Sequence, residues 1–96
     1  MNTGVVFSST LVENFGITVR QLRERQGWSQ EELAGHSGLN RSYIGEIERG
    51  RVVPSVVTVE KLALAFNASV TEVFAHCEAI EKRRRSPFAE SSSCGM

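Results

Sequence analysis

Trp28-Ser29-Gln30-Glu31-Glu32-Leu33 carries two helix-start signals on the same six residues. Ser29 and Glu32 form a capping box, in which each side chain bonds the other residue's backbone N–H. Trp28 before the cap and Leu33 at the fourth helical position form a hydrophobic staple. Together they set a helix over Gln30 to about Ser37. Gly38 follows where a left-handed turn residue is needed, and Asn40 caps a second short helix from Arg41 to about Arg49. Ala34 is small where that second helix must come close, and Leu33, Leu39, Ile44 and Ile47 supply buried contacts. Two short helices joined by so tight a turn make a helix-turn-helix.

Helical elements flank this unit on both sides. Val19 and Leu22 give the apolar face of a first helix from Ile17 or Thr18 to Gln26, ended by Gly27. Residues 1–15 read as a loose arm or a short helix of their own, with Leu11, Val12 and Phe15 at helical spacing. Pro54 and Ser55 open a fourth helix, whose stripe is Val56, Val59, Leu62, Ala63 and Phe66, and Asn67 ends it. A second capping box, Ser69 with Glu72, starts a fifth helix carrying Val70, Val73, Phe74, Cys77 and Ile80 to about Lys82. The run Lys82-Arg83-Arg84-Arg85 suits the negative end of a helix dipole. Pro87 blocks continuation, and Ser86 to Met96 reads as a disordered tail. The expected organisation is thus an arm or short helix over 1–15, a folded unit over 16–81, and a basic, then disordered, tail over 82–96.

Composition narrows the function classes. The chain has 96 residues, 41% of them apolar, which is enough for one small core. A unit of this size gains stability by pairing with a copy of itself. No run of about 18 apolar residues is present, so no membrane span is expected. The segment Met1 to Phe7 lacks the basic start of a secretory signal. Cys77 and Cys94 make neither a disulfide framework nor a metal cluster, which fits a cytoplasmic protein. Cys94 reads as a free tail thiol. His36 and His76 are isolated from each other, and no nucleophile stands at a useful spacing from a base. The expectation is a non-enzyme with no cofactor and no metal.

The words Val19-Arg20-Gln21-Leu22-Arg23, Gly27 to Ala34, Gly38-Leu39-Asn40-Arg41-Ser42-Tyr43-Ile44 and Ile47-Glu48-Arg49-Gly50 resemble the Cro/C1-type, or XRE, helix-turn-helix regulators. Pro54-Ser55, Leu62-Ala63 and Ser69 to Phe74 continue the resemblance, which covers about residues 17–74. It is especially close to controller proteins of restriction-modification systems and to phage-type repressors. The resemblance implies an all-α, compact five-helix, lambda-repressor-like DNA-binding domain, acting as a homodimer on operator DNA near promoters. Two features depart from the pattern. From Val19 to Asn67 the chain has only seven basic residues against six acidic. Gly45 lies inside the third helix, either to admit DNA or a neighbouring helix closely or as a tolerated surface glycine.

Residue chemistry then suggests roles. Arg41 pairs bidentately with a guanine edge, a contact that contributes about 1–3 kcal/mol of discrimination. Ser42 donates or accepts. Glu46 accepts from cytosine N4, orients Arg41 through a salt bridge, or stays a solvated carboxylate that repels phosphate and tightens selectivity. Gln30, Asn40, Tyr43, Arg49 and Arg51 are candidates for the phosphate backbone, each with a plain structural alternative: a solvated side chain, a cap, or, for Tyr43, cover for the core. The resemblance implies a partly buried Arg23–Glu48 pair joining the first and third helices. Val70, Phe74, Cys77 and Ile80, helped by Val53 and Phe66, suit a dimer interface or burial within their own monomer. The partners expected are double-stranded operator DNA, a second copy and RNA polymerase, with Lys82 to Arg85 gripping flanking phosphates or simply ending a helix. The rival reading is a helical protein–protein interaction module, antitoxin-like or coactivator-like, which the neutral net charge and Glu46 favour.

Overall fold

Cap geometry sets the short helices. The computed structural model describes residues 2–85, with side chains from residue 10 to residue 84. It contains α1 (Asn2–Arg25), α2 (Gln30–Ser37), α3 (Arg41–Glu48), α4 (Val56–Ala65) and α5 (Val70–Arg85). Ser29 Oγ accepts from the Glu32 N–H at 3.0 Å, and Glu32 Oε1 accepts from the Ser29 N–H at 2.8 Å. Ser69 and Glu72 repeat the same exchange at the start of α5. Asn40 Oδ1 accepts from the Ser42 N–H at 2.8 Å, and Ser55 Oγ from the Thr58 N–H at 3.1 Å. Gly38 ends α2 with φ 75°, a left-handed turn that lets Asn40 cap the next helix two residues later. Asn67 is also left-handed, at φ 58°. The tail expected over 86–96, with Pro87 as its stop and Cys94 as a free thiol, lies outside the described residues.

Non-local packing decides the rest. The first helix is not a short element preceded by an arm: Asn2–Arg25 is one α-helix, so a boundary near residue 16 falls in its middle. Its most extensive pairing is with α5, and its next is with α3. Phe15 meets Phe74 with ring centroids 5.7 Å apart. Asn14, only 1% exposed, donates from Nδ2 to Glu81 Oε1 at 2.6 Å and accepts from Arg84 Nη1. Glu13 pairs with Arg84 at 3.4 Å. These contacts give the middle of α1 a partner in α5.

The same pairing corrects the reading of the α5 stripe. Cys77 is 1% exposed and Ile80 4%, so both are buried within the single chain and offer no surface to a second copy. Cys77 faces Thr18 of α1; burial pushes its thiol pKa up, and it packs as a small apolar residue. In α4, Val59, Leu62, Ala63 and Phe66 are buried, but Val56, the first helical residue, is 85% exposed and leaves the stripe. Among the described residues, no helix is long and apolar enough to cross a membrane.

His76 joins α5 to α1 by a 2.8 Å hydrogen bond between Nε2 and Gln21 Oε1. Burial, then the charges of Arg25 and Arg83, lower its pKa from the ordinary 6.5. The unfolded chain therefore takes up this proton first. The corresponding stability is complete above pH 6.5 and is lost as pH falls through the lower folded value. His76→Gln is expected to flatten the decline in unfolding free energy on the acid side of neutrality, measured by urea titration at stepped pH. An unchanged slope in the variant would rule His76 out as its source.

Candidate nucleic-acid interface

The third helix is held from beneath and open above. Ile44 and Ile47 are 0% and 1% exposed, in a core with Val19, Leu33 and Leu62. At its back α1 crosses without a side chain between: a Cβ added to Gly16 would stand 2.4 Å from the Ile47 carbonyl oxygen and 2.9 Å from that of Glu48. Gly16 is the positioning residue that sequence reading missed. Its one local sign was a glycine between Phe15 and Ile17 in a stretch of helical spacing, which says nothing about what crosses there.

Glu48 is the junction of three helices. It accepts from Arg23 Nε at 2.7 Å and from Arg23 Nη2 at 3.1 Å. It also accepts from Gln30 Nε2 at 3.0 Å, while Arg23 Nη1 donates to the Trp28 carbonyl at 2.7 Å. The side chains of Arg23 and Glu48 are only 13% and 4% exposed. The Glu48 hydrogen bond pushes the Arg23 guanidinium above its already high ordinary range, outweighing desolvation. Trp28 itself lies between His36, with centroids 4.0 Å apart, and Phe66, at 6.2 Å. Through these contacts α1 and α2 orient α3.

On the open side, Asn40, Arg41 and Ser42 are exposed together at the first turn of α3. Neither Arg41 nor the Ser42 hydroxyl has a hydrogen-bond partner among the described residues, so their polar groups are turned to solvent. Asn40 is exposed and spends Oδ1 on the cap, with no partner for its amide N–H₂ among the described residues. The other candidates are more occupied. Gln30 donates to Glu48 and so is tied to the underside pair. Tyr43 is half-buried, with its hydroxyl 3.4 Å from Thr58 Oγ1, and covers the start of α4. Glu46 pairs with Arg49 at 2.6 Å, not with Arg41. Gly45 is buried beneath Arg49, so it is neither a surface glycine nor a crossing point for another helix. Arg51 is exposed in the loop after α3.

Val70 is 40% exposed and Phe74 half-buried, so these two keep surface where Cys77 and Ile80 do not. Val53, 77% exposed, is open as well, whereas Phe66 is buried against Trp28.

A family model described as "Helix-turn-helix domain" matches residues 14–75. The competence pilus inhibition repressor of Acinetobacter baylyi is 44% identical over 61 residues, 64% of this chain and 56% of that protein. The chain therefore spans about half the length of this relative. The restriction-modification controller protein C.AhdI from Aeromonas hydrophila superposes with a TM-score of 0.62 and 48% identity, covering 66% of this chain and 94% of that one. The clp gene regulator ClgR from Corynebacterium glutamicum gives a TM-score of 0.76 at 26% identity, over 86% of this chain and 88% of its own.

Proposed function

We propose that this chain, which belongs to the helix-turn-helix domain family of DNA-binding transcriptional regulators, reads operator DNA as a homodimer of the restriction-modification controller type. One observation carries the reading. The first turn of α3 presents Arg41 and Ser42 to solvent without partners among the described residues, on a helix whose underside is locked by Ile44, Ile47 and the Arg23–Glu48 pair. A side chain already paired within the protein must give up that partner before it can read a base edge. Among the described residues Arg41 has no such partner to lose.

The geometry supports a division of labour. Arg41, Ser42 and Glu46 meet base edges in the major groove, and the Asn40 amide and Arg51 meet phosphates on either side. Gln30 and Tyr43 contribute backbone contacts from positions already steadied by Glu48 and Thr58. The neutral net charge makes non-specific attraction weak, so affinity depends on two copies engaging together. Val70 and Leu64, 40% and 71% exposed, flank the α4–α5 turn and, with Phe74, form the surface a second copy would cover. The 48% identity to C.AhdI supports the controller assignment.

Selection from a randomised duplex pool tests this directly. The enriched site is expected to hold two half-sites about one helical turn apart. Arg41→Ala should weaken binding to that site by roughly 10- to 100-fold in fluorescence anisotropy, with little change on unrelated duplexes. Equal, weak binding to every duplex, or retention of DNA only through another protein, would favour the adaptor reading.

A further inference from the structure

Gly45, Glu46 and Arg49 form a unit on α3. The Arg49 guanidinium folds back along the helix, and Nη2 donates to Glu46 Oε2 at 2.6 Å. A Cβ added to Gly45 would meet Arg49 Nη2 at 3.4 Å, Nη1 at 3.5 Å and Cζ at 3.7 Å, and these are its three nearest atoms. The guanidinium thus lies on the bare backbone of residue 45, which is buried as a result. Glycine inside a helix is unfavourable; here it makes the seat on which the arginine rests.

The two side chains remain 52% and 37% exposed, so an ordinary pair three residues apart at this depth would be a weak and mobile one. The seat restricts it. Two consequences follow for a helix facing a polyanion. The carboxylate charge of Glu46 is countered, so it repels phosphate less. Oε2 is occupied, which leaves Oε1 without a hydrogen-bond partner among the described residues.

We propose that Arg49 is a positioning residue for base reading: it holds Glu46 so that Oε1 accepts from an exocyclic amino group in the major groove, cytosine N4 or adenine N6, and it makes no phosphate contact itself. This rests on the operator-binding reading above and deepens it. A carboxylate only accepts, so it favours a base edge presenting an amino group and disfavours guanine O6 and thymine O4. Glu46 thereby sets the preferred base at one position of each half-site, and Arg49 sharpens that preference.

A double-mutant cycle tests it on full-length protein, with Glu46→Ala, Arg49→Ala and the double variant. The probes are the duplex enriched by the wild-type chain and its single base-pair substitutions, titrated across salt concentrations. Glu46→Ala is expected to flatten preference at one position per half-site. Arg49→Ala should reduce preference at that same position by about tenfold, with an unchanged salt slope and no further effect in the Glu46→Ala background. Arg49→Lys should recover part of the loss, and thermal midpoints should stay close to wild type.

A salt slope shallower by about one in Arg49→Ala, persisting without Glu46, would make Arg49 a phosphate contact and overturn the proposal. So would a Glu46→Ala profile unchanged at every position while Arg41→Ala still loses discrimination, an outcome that leaves operator binding standing. Failure of the wild-type chain to prefer any duplex would remove operator binding and this inference together.

Discussion

Gly16→Ala is expected to lower the thermal unfolding midpoint by roughly 15 °C, from a loss of about 3 kcal/mol. The added methyl would sit 2.4 Å from the Ile47 carbonyl oxygen and 2.9 Å from that of Glu48. Both atoms are backbone, so no rotamer change relieves the overlap. Either α1 moves away from α3 or α3 shifts on its core, and each opens space around Val19, Ile44 and Ile47. Alanine's better helix propensity returns about 1 kcal/mol at most, which does not cover the clash. Gly35→Ala is the matched control. A Cβ at Gly35, inside α2, meets nothing within 4 Å, so propensity alone acts there and the midpoint should rise by a few degrees. Thermal melts followed by circular dichroism compare the two. A Gly16→Ala midpoint within a few degrees of wild type would mean that the crossing of α1 and α3 is not as tight as described.

Glu48→Ala is the second large effect, with an expected loss of about 3–5 kcal/mol in denaturant unfolding. Arg23 would keep its charge at 13% exposure with the Trp28 carbonyl as its remaining acceptor, and Gln30 Nε2 would lose its partner as well. In the wild-type chain the Glu48 hydrogen bond holds the Arg23 guanidinium pKa above the ordinary arginine value, so the pair's charge-linked stability is complete throughout the range below that value. The double variant Arg23→Met, Glu48→Leu should recover most of the loss, because the burial cost of both charges disappears together. Arg23→Lys with Glu48 intact should itself be destabilising, since an ammonium cannot present the guanidinium fork to both carboxylate oxygens and still reach the Trp28 carbonyl. If Glu48→Ala cost less than about 1 kcal/mol, the junction would be no stronger than a surface ion pair. DNA affinity would then have to be explained without it.

These two sites differ in how visible they were beforehand. Arg23 and Glu48 came from resemblance to the family, because their separation in the chain says nothing about contact. Gly16 came from the folded chain alone. The candidates on α3 show the same division. Arg41 and Ser42 follow Asn40, whose capping chemistry places them on the first turn, and that much is local. Glu46 read locally as an acceptor for cytosine N4 or a partner of Arg41, yet in the fold it pairs with Arg49, whose guanidinium lies over Gly45. Cys77 and Ile80 had a pattern that fitted an interface between copies as well as one within a chain. The length of α1 and its pairing with α5 decided for the latter.

What the chain's order of residues determined unaided is the set of helix starts and stops around the turn. Ser29 with Glu32, Gly38, Asn40, Ser55, Asn67 and Ser69 with Glu72 each act on backbone groups at most four residues away. What tertiary structure alone decided is which faces are covered: the continuity of α1, the inward turn of Cys77 and Ile80, the exposure of Val56, and the seat beneath Arg49. The physical reason is range. A cap satisfies its hydrogen bonds within one turn of helix, whereas burial depends on which distant element arrives to exclude water.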